Sequence, residues 1–308
     1  MAITAAGGFP QLSGTLVPNN VWSTNLLVKF YDATVFGAIA NTDYEEDVKR
    51  FGDKVNIRTT PSITIHDYEK GGVLQTQTPD PQNVTLTIDK AKYWNFLVDD
   101  VDRFQSDLDF MENWTQAAAL DLEVAIDSGV LTDEYPNAHA SNQGATAGVR
   151  SGNINLGATG APLRLTKGNV IDTLALCEQT LAEHNVPEYD RWLVIPQWVA
   201  RLIRTSDAKN AEMLGDSESM IRGNTGIGRL HSFSMFRTNQ LATTTDGSDT
   251  VTNIMFGQKK ALSFASQFVE NALLISELQA GHKCRGLQVY GHDVLKAEAL
   301  GLLYAVQG

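Results

Sequence analysis

The hydrophobic period of this chain switches near residue 98, and that switch limits its possible folds more than any other feature. Over residues 53–98, KVNIRTT, SITIHDY and QNVTLTIDKAKYWNFLV alternate apolar and polar residues, carried by Val55/Ile57, Ile63/Ile65 and Val84/Leu86/Ile88. Spacing of two with β-branched enrichment predicts strands, and the intervening KGGVLQTQTPDPQ is turn chemistry. A long two-stranded excursion follows from this. A lone hairpin buries no core of its own, so it must lean on something else, and a neighbouring subunit is one candidate. From residue 99 the spacing becomes helical. Val101, Phe104, Leu108, Met111, Thr115, Ala118, Leu122 and Ala125 recur at steps of three and four, which predicts one apolar stripe on a long helix over 99–128. Gly129 is placed to end it.

The helical segment holds nine carboxylates and one basic residue, Arg103, and every carboxylate lies off the apolar stripe. Asp99 and Asp102 are one turn apart and can share a divalent ion, which admits a metal-dependent enzyme. Asp102 and Asp109 are two turns apart, too far to converge on one ion. Carboxylates are favoured in the first turn by the helix dipole and the free N–H groups. The preferred reading therefore makes Asp99 and Asp100 the helix cap, the remaining acids a solvated face, and Val101, Phe104, Leu108, Met111 and Leu122 the buried seam.

Other chemistry finds no support. GNTGIG lacks both the dinucleotide spacing and the Lys-Ser/Thr of a phosphate loop, and is expected to be a loop. The six histidines form no HxxxH pair, and no GxSxG elbow is present. Cys177 lies on an apolar helix face and reads as core, and Cys284 follows Lys283. The two cysteines have no CxxC spacing, so neither a disulfide framework nor a zinc site is expected, and a reducing compartment is. No catalytic residue, metal or cofactor is assigned. Net charge is −12, and residues 1–165 carry 11 Lys and Arg against 21 Asp and Glu. This argues against binding to a phosphate backbone. No apolar run is long enough for a membrane span, and the first residues do not read as a signal peptide.

Residues 1–50 are rich in Gly, Pro, Asn and small side chains, and read either as a frayed terminus or as an arm that orders on a neighbour. Residues 130–165 read as loop with one or two short strands. Residues 166–290 read as an α/β unit. Thr166 is placed to cap the helix KGNVIDTLALCEQTLAEHN, RWLVIP is a short buried strand ended by Pro196, and QWVARLIRT is a second helix. The tail has a strand at Leu287 and Val289, a turn at Gly291 and a final apolar segment.

This order of elements resembles the major capsid proteins of tailed bacteriophages, the Hong Kong 97-type fold shared with encapsulins. The resemblance rests on GDKVNIRTTPSITIHDY, YWNFLVDDVDRFQSDLDFMENW, WLVIPQWVARLIR, IRGNTGIGRLHSFSMFRTNQL, GQKKALSFASQ and GLQVYGHDVLKAEALGLLYA, and runs from about residue 52 onward. Where relatives often read Gly-Phe, this chain has His231-Ser232 before Phe233. The resemblance implies an α+β fold with an N-terminal arm (1–51) and an extended β-hairpin, the E-loop (52–97). It also implies a peripheral domain (98–165 and 286–308) with a spine helix (99–128), and an α/β axial domain (166–285). The implied activity is self-assembly of one chain into pentamers and hexamers of an icosahedral shell around a double-stranded DNA genome. The DNA would be packaged without sequence-specific binding. Scaffolding, portal and decoration proteins are the implied partners, and a virion capsid assembled in the host cytoplasm is the implied location. An encapsulin-like nanocompartment has the same fold, and a fibre or tail component fits the long helix less well.

Overall fold

The computed structural model describes residues 34–48, 54–61, 63–74, 76–81, 83–100, 104, 110–206, 229–276 and 281–308. Two short helices, α1 (Phe36–Ile39) and α2 (Glu45–Val48), lead into strand β1 (Lys54–Arg58). Residues 59–82 then form an excursion before β2 (Asn83–Thr87), which pairs antiparallel with β1 from Lys54↔Thr87 to Arg58↔Asn83. After β3 (Lys90–Asp99) comes the long helix α3 (Phe110–Glu134). There follow β4 (Leu163–Leu165), α4 (Val170–Glu183), β5 (Arg191–Ile195), α5 (Gln197–Thr205), β6 (Arg229–Leu230), β7 (Phe233–Arg237), β8 (Thr243–Asp246), β9 (Asp249–Gln258), β10 (Leu262–Ile275), β11 (Gly281–Val294) and β12 (Leu300–Gln307).

The main body is a seven-stranded sheet in the order β4-β12-β9-β5-β7-β6, with β8 paired to β9. All five residues of β5 are buried, as are most of β9 and β12. Such continuous burial requires both faces of a strand to be covered. Helix α4 supplies part of that cover with Val170, Leu174, Cys177 and Leu181, the face expected from its spacing. Its N-cap is Asn169 rather than Thr166. The Asn169 side chain accepts from the Thr166 backbone N–H at 2.7 Å, so Thr166 belongs to the turn that leads into the helix. Helix α5 follows Pro196, whose fixed φ stops β5 and suits the position before a helix. The β6–β7 turn is His231-Ser232, and His231 sits at φ 52°. That left-handed conformation is one that glycine adopts at little steric cost.

The second layer is the three-stranded sheet β10-β11-β3. Helix α3 packs on its β3 and β11 strands. Strand β11 runs across residues 285 and 286, and β12 lies in the seven-stranded sheet beside β9, sharing one core with Ile126, Val130 and Leu131 of the long helix. Gly291 does not make a turn. It lies inside β11 opposite Ala265, and a Cβ there would sit 2.2 Å from the Thr87 carbonyl oxygen. The glycine serves close approach of the β2–β3 link, a need invisible in local sequence.

Helix α3 also departs from the reading at its end. It runs through Gly129 to Glu134, because Val130 and Leu131 beyond the glycine are completely buried. Burying two such side chains is worth about 1.5–3 kcal/mol each, more than the ~1 kcal/mol a helical glycine costs. No helix among the described residues is long and apolar enough to cross a membrane.

Candidate functional site

The excursion between β1 and β2 carries apolar side chains without a core. Ile65 is 93% exposed and Val73 is 96% exposed, and Ile63, Tyr68 and Leu74 are also exposed. The expected strand at SITIHDY is absent: the described residues of 59–81 form no ladder. Side chains tie its arms together instead. Gln77 Oε1 accepts from the Thr64 backbone N–H at 3.1 Å, and Gln77 Nε2 lies 3.0 Å from His66 Nε2. The far turn closes with Gly72 N–H donating to Glu69 C=O, and Gly71 takes φ 89°. A clustered apolar surface of this kind marks a site of association. A second one lies at the end of the β10–β11 hairpin, where Leu273, Leu274 and Ile275 are exposed.

The residues expected to cap and seam the long helix fall in several places. Asp99 is the last residue of β3, paired with Gly281, and stands directly before Asp100, which is helical. The Asp100 carboxylate accepts from His282 Nδ1 at 2.8 Å. Phe104 is 92% exposed in this chain. Val101, Asp102 and Leu108 lie outside the described residues, and Met111 lies in α3. Leu122 packs partly buried against the main core. The deepest face of α3 comprises Ile126, Asp127, Val130, Leu131 and Glu134, so it contains two carboxylates, of which Asp127 was expected on a wet face.

Each buried carboxylate has partners that explain it. Asp127 accepts from the backbone N–H groups of Val35 and Phe36 at 3.1 and 2.9 Å, which stations the start of α1 against α3. Burial raises its pKa and the two backbone bonds oppose that. Glu134 Oε1 lies 2.5 Å from His292 Nδ1, and His292 Nε2 lies 2.8 Å from Lys90 Nζ, which in turn binds Asp133 at 2.6 Å. These contacts form a chain from carboxylate to carboxylate through the His292 ring. It joins the end of α3 to β3 and β11. The arrangement holds these elements together.

Tertiary structure brings together further groups that no sequence spacing suggested. Glu183 accepts from the backbone N–H groups of Arg150 and Ser151 at 2.8 and 3.1 Å. These bonds lower its pKa to about 2. The rings of His139 and His184 meet edge to face at 4.9 Å. Buried Arg191 donates to the carbonyls of Val186 and Pro187 and to Ser232 Oγ. Cys177 and Cys284 are both buried and free, and burial pushes the Cys177 thiol far up. Among the described residues no group of three or more His, Cys, Asp or Glu converges as a metal site would. GNTGIG lies outside the described residues.

No protein-family model matches the chain, and no curated protein matches it. Solved structures do. A chain from Mycobacterium phage Che8 is 24% identical with a TM-score of 0.74, and the match covers 93% of this chain and 96% of that one. The capsid structure of Cyanophage P-SCSP1u gives 15% identity and a TM-score of 0.71 over 97% and 96% of the two chains. The mature capsid of bacteriophage PhiM1 gives 11% and 0.68 over 94% and 92%. Over nearly its whole length, the chain thus has the α+β fold of phage capsid structures that its sequence resembles.

Proposed function

We propose that this chain is a major capsid protein whose copies assemble, as pentamers and hexamers, into an icosahedral shell around a double-stranded DNA phage genome. What supports the reading most is the near-complete overlap with phage capsid structures at TM-scores up to 0.71. The exposed apolar excursion adds a physical reason: Ile63, Ile65, Tyr68, Val73 and Leu74 face water in the single chain, and a neighbouring copy would bury them. In this reading the role is structural and not catalytic. The arm (1–51) and the excursion dock on neighbours, and the acidic helix presents charge that repels packaged DNA and leaves it mobile. Scaffolding, portal and decoration proteins would join the shell during assembly in the host cytoplasm, and the finished location is the virion capsid.

Negative-stain electron microscopy of the expressed protein tests this. Closed icosahedral particles are the expected result, with nucleic acid inside when they are made in the presence of the genome. Particles that enclose a cargo protein would favour a nanocompartment, and a chain that stays monomeric at high concentration would reject assembly altogether. Limited proteolysis gives a second reading. Residues 59–82 should be cut in the free chain and protected in the particle, and equal protection in both would count against docking.

A further inference from the structure

At the foot of the excursion a recess of about 430 Å³ opens between four parts of the chain. Its walls are the α1–α2 link (Asn41, Asp43, Tyr44), the end of β1 with Val84 opposite, Lys260 in the β9–β10 turn, and Leu295 with Lys296 after β11. Three cations, Arg58, Lys260 and Lys296, line it against one carboxylate, Asp43. Among the described residues no carboxylate lies within 4.0 Å of any of the three charged groups. In a chain with 36 acidic and 24 basic residues, that concentration of unpaired positive charge is a local exception.

The backbone sets these cations in place. Leu295 and Lys296 both donate their N–H to the Ala261 carbonyl, at 2.8 and 3.3 Å, which brings Lys296 beside the turn that carries Lys260. Asn41 N–H donates to Leu262 C=O and Asn41 C=O accepts from Phe264 N–H, closing the opposite wall. Arg58 enters from β1, held by pairing with Asn83. The backbone thus fixes where three exposed cationic side chains start around one recess.

We propose that this recess is a socket for a carboxylate side chain of a second copy of this chain. The inference rests on the assembly reading above and names a polar contact for it. Charge complementarity selects the occupant: every copy carries a surplus of acid, concentrated in residues 1–165. Position adds to this, since Arg58 is the last residue of β1 before the exposed apolar arm begins. An ion pair here fixes the arm's direction of departure while its apolar residues bury on the neighbour. DNA is the less suitable anion. Backbone recognition uses extended rows of Lys and Arg, and the −12 net charge of each copy opposes approach of a polyanion.

The test uses the full chain. The triple variants R58E/K260E/K296E and R58Q/K260Q/K296Q are compared with wild type for the lowest protein concentration that yields particles. That concentration is expected to rise at least tenfold for the Glu variant and less for the Gln variant, with unchanged melting temperature of the free chain. A zero-length carbodiimide cross-linker is then applied to a mixture of isotope-labelled and unlabelled chain. It should join Lys260 or Lys296 to an Asp or Glu of a differently labelled copy. Assembly of both variants at wild-type concentration, or cross-links confined to one copy, would overturn the socket while leaving the capsid reading intact. Inorganic phosphate that binds the free chain, with no cross-link between copies, would assign a small-anion site and also overturn it. Nuclease-sensitive binding of DNA that both variants lose, again without cross-links between copies, would do the same. If wild type forms no particle, the assembly reading fails first, and the mixed-copy cross-link in concentrated solution still decides the socket.

Discussion

Ile254 in β9 is completely buried, whereas Ile65 in the excursion is 93% exposed, although both are β-branched residues in stretches that read as strand. The difference lies in what surrounds each strand. β9 has β12 on one side and β5 and β8 on the other, and the helices and loops of the same chain cover its faces. Among the described residues, the excursion beyond β1 and β2 has no third strand and no helix over Ile63 or Ile65. Equal local propensity therefore yields a core in one place and an unsatisfied surface in the other. Apolar burial stabilises the first region within the single chain, and in the proposed assembly the second gains it only from a neighbour.

Truncation in the sheet should have the largest effect. Leu303→Ala, at a fully buried position of β12, is expected to lower the unfolding free energy by about 2–5 kcal/mol in urea denaturation. A loss below about 1 kcal/mol would mean that the sheet relaxes freely, and would break the contrast with the excursion.

Acid titration sharpens a second contrast, between Asp127 and Glu183. Both accept two backbone N–H bonds, yet their pKa values move in opposite directions because only Asp127 is fully buried. Glu183, lowered from 4.5 to about 2, contributes stability that is present above pH 4.5 and lost as pH falls toward 2. Asp127, raised above 3.8, contributes stability that is present below 3.8 and lost as pH rises through its folded value. Urea midpoints from pH 2 to 6 should show Glu183→Gln flattening the acid-side loss, and Asp127→Asn removing the opposite slope. Parallel changes in the two variants would refute the burial argument.

His231→Gly should stabilise the free chain by about 0.5–1 kcal/mol, because the left-handed φ of 52° costs a residue with a Cβ more than it costs glycine. A measured loss would place more weight on the 3.8 Å approach of His231 to Glu178. The smallest change in fold stability belongs to Ile65→Asp, within about 0.5 kcal/mol for the free chain, since the side chain already faces water. Its particle yield should nevertheless fall sharply. Normal yield would remove the excursion from the assembly surface.

The sequence by itself determined elements whose signals are local. The alternation at Val55/Ile57 and Val84/Leu86 became the β1–β2 pair, RWLVI became β5, and QWVARLIRT became α5 from its first residue to its last. Helix spacing placed Val170, Leu174, Cys177 and Leu181 inward on α4. Tertiary structure decided whatever depended on contacts distant in sequence. It carried α3 past Gly129 because buried Val130 and Leu131 outweigh a glycine's cost. It buried Asp127 and Glu134 because Val35, Phe36 and His292 supply hydrogen bonds from 91 to 158 positions away. It kept Gly291 inside a strand because Thr87 passes too close for a side chain. Arg58 lies more than two hundred positions from both Lys260 and Lys296, so no window of sequence holds the recess they line. Period and propensity act over a few residues, while burial and charge pairing depend on which distant residues the fold brings near.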